Sequence, residues 1–259
     1  MEFIDTHTHF YDEAFEGHQG QDEAIRRALE VGVTSFIVPD EGPATRGEMF
    51  ALCSRWKGTA FPCIGLHPEE LDEGWKEALD LLEKDADSHP EAVAVGETGM
   101  DLYWTKDNVD IQLEAFRFQI ELSIRKSLPL IIHAREATKP ILDTLEDYRG
   151  RALRGVFHAY SGSAEAFRAL DRYGDWYVGI GGVLTFKKAG IANTVKDIPM
   201  ERIVLETDSP YLTPVPHRGE RNESSYIPII ASFLSDVKGA SLEETAYQTT
   251  LNAKKLFCI

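Results

Sequence analysis

Short apolar runs alternate along this chain with stretches in which apolar residues recur every three or four positions. The runs FIDTHTH, TSFIVPD, AFPCIGLH, AVAVGE, LPLIIH, LRGVFHAY, WYVGIGG and RIVLETD read as eight strands. Between them lie DEAIRRALEVG, MFALCSRWKG, WKEALDLLEKDA, IQLEAFRFQIELSIRKS, ATKPILDTLEDY, AEAFRALDRYG and ANTVKDI, all with helical spacing. Eight β/α alternations in 259 residues predict an α/β chain folded as a single (β/α)8 TIM barrel, with its site at the carboxyl ends of the strands. No Pro-, Ser- or Gly-rich linker, repeat or low-complexity tract breaks the alternation, so residues 1–259 are expected to form one domain. Residues 207–225, TDSPYLTPVPHRGERNESS, are too rich in Pro and charge for regular structure and predict a loop at the barrel mouth. Two helices, YIPIIASFLSDV and LEETAYQTTLNAKKLF, are expected to follow it on the barrel exterior.

The expected strand ends collect one kind of chemistry. Successive side chains on a strand face opposite ways, so His7 and His9 project together and can grip one cation. Glu97 closes AVAVG, and a carboxylate has two oxygens with which to bridge two cations. His133 ends LPLIIH, His158 ends LRGVFH, and Asp208 follows RIVLET. One histidine at the end of an apolar run is more often a structural residue than a ligand. Six donors at the same end of five strands point instead to a two-metal hydrolase. Imidazole with carboxylate suits Zn, Mn, Fe, Co or Ni, and suits Mg less well.

Charge complicates the choice of substrate. With 27 basic and 43 acidic residues the formal net charge is −16, which opposes broad attraction to nucleic acid. Ten of the acids lie in residues 69–91 with only Lys76 and Lys84, as expected of a solvated acidic face. Arg46, Lys106, Arg135, Lys187, Lys188, Arg218 and Arg221 fall in the expected βα loops and predict a cationic mouth on an acidic body. Cys53, Cys63 and Cys258 suggest neither a disulfide framework nor a thiolate metal site. The N-terminus enters a strand without a leader, and no apolar stretch approaches the ~20 residues of a membrane span. A cytoplasmic protein is expected, without membrane attachment or an obligate protein partner.

The segments DTHTHF, GLHPE, GETGMD, IHARE, GVFHAYSGS, GIGGVLTFKKA, LETDSPYL and PHRGERNE together resemble the TatD family of metal-dependent hydrolases and deoxyribonucleases, in the amidohydrolase superfamily. The resemblance spans residues 5–223. It implies a TIM barrel, two divalent cations (Mg, Mn or Zn), and nuclease or phosphoesterase activity, often 3′→5′ on single-stranded nucleic acid. Position by position, it implies that His7, His9, Glu97 and Asp208 hold one cation and that Glu97 bridges to a second held by His133 and His158. This chain departs from the family pattern at Thr98, Met100 and Ser224.

These readings together predict that Asp208 acts as ligand and general base, with Glu97 beside it in the catalytic centre. His67, which ends the third run, Arg135 and Arg218 are expected to contact substrate phosphate. Arg221 is a weaker candidate for the same role, and Glu206 is expected to hydrogen-bond a ligand. Tyr103, Trp104, Tyr160, Phe186 and Tyr211 follow strands and offer faces for base stacking, though loop packing explains each one as well. His18, His89 and His217 have no assigned role. Hydrolysis of a small amide, lactone or phosphoester is the alternative activity, because related barrels put the same metal core to those uses. A non-catalytic binding protein on the barrel scaffold is a third reading, which the completeness of the ligand set disfavours.

Overall fold

A computed structural model describes residues 1–104 and 106–259. Eight strands are present among the described residues: β1 (Phe3–Asp5), β2 (Val33–Val38), β3 (Ala60–Pro62), β4 (Val95–Asp101), β5 (Leu130–Arg135), β6 (Leu153–Phe157), β7 (Gly174–Ile180) and β8 (Ile203–Leu205). Helices α1 (Gly17–Glu30), α2 (Pro43–Arg55), α3 (Trp75–Ser88), α4 (Val109–Lys126), α5 (Thr138–Glu146), α6 (Ala164–Leu170) and α7 (Ile191–Asp197) alternate with them. The final pair, α8 (Ile227–Lys238) and α9 (Leu242–Phe257), is present as the sequence predicts, but the end of α9 packs against the barrel interior and not only on its exterior.

All ladders are parallel and run in sequence order, β1 to β3 and β4 to β8. Isolated parallel bridges, Ile64 to Val95 and Thr8 to Ser209, join the two sheets at both seams. Backbone bonds from Thr6 to Leu205 and from Asp208 to His7 continue the second seam, so the strands form a ring. Its interior confirms the closure. Ile4, Ile37, Cys63, Ala94, Ile131, Val156, Tyr177 and Val204, one from each strand or its immediate flank, form a single cluster plugged by Ala253, Leu256 and Phe257 of α9. A larger apolar layer lies between the ring and the helices.

Strand ends differ from expectation where the chain prepares the site. The first run predicts a strand through His9, yet the ladder ends at Asp5 because Asp5 turns its carboxylate to accept the amides of His7 and Thr207, at 3.2 and 3.0 Å. Residues 6–9 stay extended through separate bonds to the flanking strands. In β4, Gly99 has φ +131° and its Cα lies so close to β5 that an added Cβ would stand 2.1 Å from the His133 carbonyl oxygen. Residues 207–225 are irregular up to a short 3-10 turn at Ser224–Tyr226. Their loop is pinned by the Asn222 amide, which donates to the carbonyl of Thr207 at 2.8 Å and to that of Tyr211. No helix among the described residues is long and apolar enough to cross a membrane. Cys53 and Cys63 are buried, Cys258 is exposed, and all three thiols are free.

Candidate metal centre

The six predicted donors converge at the carboxyl end of the ring. His7 Nε2 lies 3.1 Å from His9 Nε2, 3.1 Å from Glu97 Oε2 and 3.5 Å from Asp208 Oδ1. His9 Nε2 is also 3.5 Å from Asp208 Oδ1. On the other side of Glu97, Oε1 is 2.8 Å from His133 Nδ1 and 2.7 Å from His158 Nε2, which are 3.1 Å from each other. The two oxygens of one carboxylate therefore face two separate sets of nitrogens. Asp208 reaches its place through a left-handed backbone (φ 58°), a conformation Asp tolerates better than most residues.

Second partners fix which nitrogen the rings of His9 and His133 present. Tyr11 donates its hydroxyl to the Pro39 carbonyl at 2.8 Å, so its oxygen accepts from His9 Nδ1–H at 2.9 Å. That leaves His9 Nε2 with a lone pair turned into the cluster. Asp101 likewise accepts from His133 Nε2 at 3.1 Å and frees His133 Nδ1 toward Glu97. Partners of this kind orient metal-binding imidazoles. Two imidazole lone pairs facing each other at 3.1 Å repel unless a proton or cation lies between them. A tetrahedral site with Zn–N bonds of 2.0–2.1 Å has edges of about 3.4 Å, close to these spacings. The donor set therefore fits divalent cations. Grouping nearby donor atoms likewise yields His7, His9 and Asp208, and His7, Glu97 and His158.

Electrostatics point the same way. Burial alone would lower the His9 imidazole, but the Asp208 hydrogen bond and the Glu41 charge raise it to about 9. His133 is raised to about 9 against its burial by Asp101 and Glu97. His7, buried beside His158, is pushed down to about 4. Burial would raise the Glu97 carboxyl, yet the imidazoles of His158, His67 and His7 hold it well below the usual range. Asp208 is lowered too, against burial, by its hydrogen bond with His9.

A cavity of about 720 Å³ opens above the cluster, lined by His9, His67, Glu97, His133, His158 and Asp208, with Arg135, Trp104 and Tyr211 also in its wall. His67 accepts the Glu69 amide on Nδ1 at 3.2 Å, so its protonated Nε2 points toward Glu97 Oε1, 3.3 Å away. Such a ring presents a donor to the cavity, which argues against a third cation held by His67, Glu69 and His133 despite the proximity of their ligand atoms. Arg135 lies over the rings of Tyr103 and Trp104, 4.3 and 5.3 Å from their centroids. Asp101, whose Oδ1 accepts the Tyr103 and Trp104 amides at 2.8 Å, steadies that rim.

Other expectations fall elsewhere. Arg218 stacks on Phe186 at 3.9 Å and lies outside the cavity wall, so the structure does not bring it to His67 and Arg135. Arg221 bonds the Ala14 carbonyl and Glu223. Arg46 is buried in α2, where it binds Asp40, Asp85 and the Gly65 carbonyl. The wall of this cavity is thus not cationic as predicted. Among the described residues, Arg135 is the one Lys or Arg in the wall, against Glu41, Glu69, Glu70, Glu97 and Asp208. Glu206 does not bond a ligand side chain; its Oε1 accepts the Ala159 amide at 2.5 Å, and burial pushes its carboxyl up to about 8. Tyr160 is buried and donates to the Ser163 carbonyl. His18, His89 and His217 pair with Glu48, Glu91 and Glu220, away from the site. Thr98 and Met100 are buried in β4, and the Thr98 hydroxyl has no partner among the described residues.

Sequence reasoning missed Tyr11, Asp101 and Glu41. The first two were detectable, because period two places Tyr11 on the face of His7 and His9, and Asp101 on the face of Glu97.

The family model described as TatD related DNase matches residues 4–258. This chain belongs to the TatD-related DNase family. An uncharacterized metal-dependent hydrolase, YabD of Bacillus subtilis (strain 168), is 37% identical over 257 residues, covering 99% of each chain. A protein of Erwinia billingiae (strain Eb661) named 3′-5′ ssDNA/RNA exonuclease TatD is 29% identical over 243 residues, 92% of each. The crystal structure of YJJV, a TatD homologue from Escherichia coli K12, superposes with a TM-score of 0.91 at 26% identity, covering 99% of this chain and 98% of that one. As a TatD-family member, the chain is one of the metal-dependent hydrolases, with a cluster of His, Glu and Asp suited to hold the metal.

Proposed function

We propose that this TatD-family chain is a cytoplasmic phosphodiesterase that removes nucleotides 3′→5′ from single-stranded nucleic acid. The observation that carries the reading is Glu97, whose oxygens face His7 on one side and His133 with His158 on the other. Two cations would share this carboxylate, with His7, His9 and Asp208 to hold one and His133 and His158 to hold the other. When bound, two cations lower the pKa of water toward neutrality and polarise a phosphoryl oxygen.

The protein's own groups do the rest. Asp208 is ionised at neutral pH, lines the cavity, and orients the attacking water and accepts its proton. His67 offers an N–H, and Arg135 a planar guanidinium, to phosphate oxygens. The name of the Erwinia relative favours nucleic acid as the substrate. The acidic wall favours the alternative, a small amide, lactone or phosphoester, since it attracts a polyanion only after cations have bound. Supplying a 5′-labelled single strand and a panel of amides and lactones, each with Mg, Mn and Zn, separates the two. We expect stepwise shortening of the strand from its 3′ end; turnover confined to the panel would overturn the nuclease reading.

A further inference from the structure

A second cavity of about 420 Å³ opens beside the first and shares Ala159, Ser161, Asp208 and Leu212 with its wall. Its chemistry is different. Among the described residues no Lys, Arg or His lines it, so a phosphate has no cationic partner there. Val183, Leu184 and Ile191 give it apolar surface, Ser161 and Thr194 supply hydroxyls, and Gly179 and Gly181 bring only backbone to its wall.

One polar group is buried in this wall without a full set of partners. Glu206 is 1% exposed, and while Oε1 accepts the Ala159 amide, Oε2 has no hydrogen-bond partner among the described residues. The carboxylate leans over Gly179, where an added Cβ would stand 1.9 Å from Oε2. A buried polar atom without a partner costs about 1–3 kcal/mol, so a polar occupant is expected beside it. Such an occupant is flat, uncharged and partly apolar, with a hydrogen-bonding edge.

We propose that this cavity is a nucleobase subsite, which takes the base next to the phosphate held over Glu97 and Asp208. The base faces rest against Val183, Leu184 and Leu212, and its polar edge meets Glu206 Oε2 and the hydroxyls of Ser161 and Thr194. The proposal rests on the phosphodiesterase reading for the position of the phosphate, and on the second cavity alone for the base.

The test titrates manganese-loaded protein with deoxyadenosine 5′-monophosphate and with deoxyribose 5-phosphate by calorimetry. Strands ending in a normal or an abasic 3′ nucleotide are hydrolysed in parallel. Wild type is expected to bind the nucleotide about tenfold or more tightly than the sugar phosphate and to prefer the normal strand to a similar degree. Thr194→Trp and Val183→Trp, which fill the cavity away from the metal cluster, are expected to abolish both preferences with metal content and melting temperature retained. Equal binding of the two ligands by wild type would overturn the subsite, whether or not strands are cut. So would a preference that survives in both variants. A base preference in binding without any strand cleavage would instead sink the nuclease reading and leave the subsite standing.

Discussion

Two buried charged clusters sit within one strand of each other in this barrel, and they are built on opposite principles. In the first, Arg46 sends Nε to Asp40 at 2.7 Å, Nη1 to Asp85 at 2.8 Å and Nη2 to the Gly65 carbonyl at 2.9 Å, while Asp40 accepts the amides of Gly42 and Gly65. Its charges are matched within the chain. In the second, ring nitrogens face ring nitrogens: His7 Nε2 meets His9 Nε2, and His133 Nδ1 meets His158 Nε2, around one carboxylate. The difference teaches how to tell structural burial of charge from a ligand site. A self-satisfied cluster holds the backbone, and here Asp40 exchanges backbone bonds with Gly96 and Glu97. An unsatisfied one waits for cations.

The largest effect should come from the second cluster. Asp208→Asn keeps the shape and one ligating oxygen but removes the proton acceptor, so hydrolysis should fall on the order of 10²–10⁴-fold while the fold and most bound metal remain. Turnover near wild type in metal-replete buffer would end the general-base assignment and reduce Asp208 to a ligand.

In the first cluster the effect should be on stability. Arg46→Met leaves Asp40 buried without its counter-charge, a change that costs about 3–5 kcal/mol in buried pairs. Burial pushes the Asp40 carboxyl up to about 7 even beside Arg46, and the variant should raise it further. A carboxyl whose folded pKa is raised contributes stability that is complete below its unfolded value and lost as pH rises through the folded value. The penalty in Arg46→Met should therefore grow as pH climbs past about 7, as read from urea unfolding at several pH values. A loss below about 1 kcal/mol would place the pair among surface bridges in effect.

The clusters should also respond oppositely to pH when metal is withdrawn. His9 and His133 stand at about 9 in the folded chain against an ordinary 6.5, so without metal their contribution to stability is complete below 6.5 and disappears as pH rises through about 9. With a divalent cation present the same nitrogens exchange proton for metal, and stabilisation should increase over that interval. Melting curves with chelator and with manganese should thus diverge as pH rises. Parallel curves would show that these rings do not bind the cation.

How much of this was legible follows from the range of each interaction. The eight strands and the six donors could be read from period-two alternation and apolar runs, because both are local properties. α9 matches its expected bounds, 242–257, and starts at a capping box between Ser241 and Glu244. Arg46 was misplaced because its burial depends on Asp85, 39 residues away, and nothing near it in sequence signals that partner. The cationic mouth failed for the same reason. Arg218 and Arg221 lie in the expected loop, but Phe186, Phe15 and Glu223 claim their guanidinium groups.

The subtlest difference between the clusters lies in the partners of the imidazoles, and it sets the smallest effect. Asp101 accepts from His133 as a carboxylate held down at about 2, whereas Tyr11 accepts from His9 as a neutral phenol. Asp101→Asn can still accept but no longer carries charge, and metal affinity should fall about 10–100-fold, as it does when such partners are changed elsewhere. Tyr11→Phe removes a neutral acceptor of a single N–H, for which about 1 kcal/mol is typical, so affinity should fall less than tenfold. The two variants should also differ in kind. Losing Tyr11 frees the neutral His9 ring to carry its proton on either nitrogen, so nitrogen chemical shifts of His9 in metal-free protein above about pH 9 should report mixed tautomers while His133 keeps one. If Tyr11→Phe weakened metal binding as much as Asp101→Asn, orientation rather than charge would be what both partners supply.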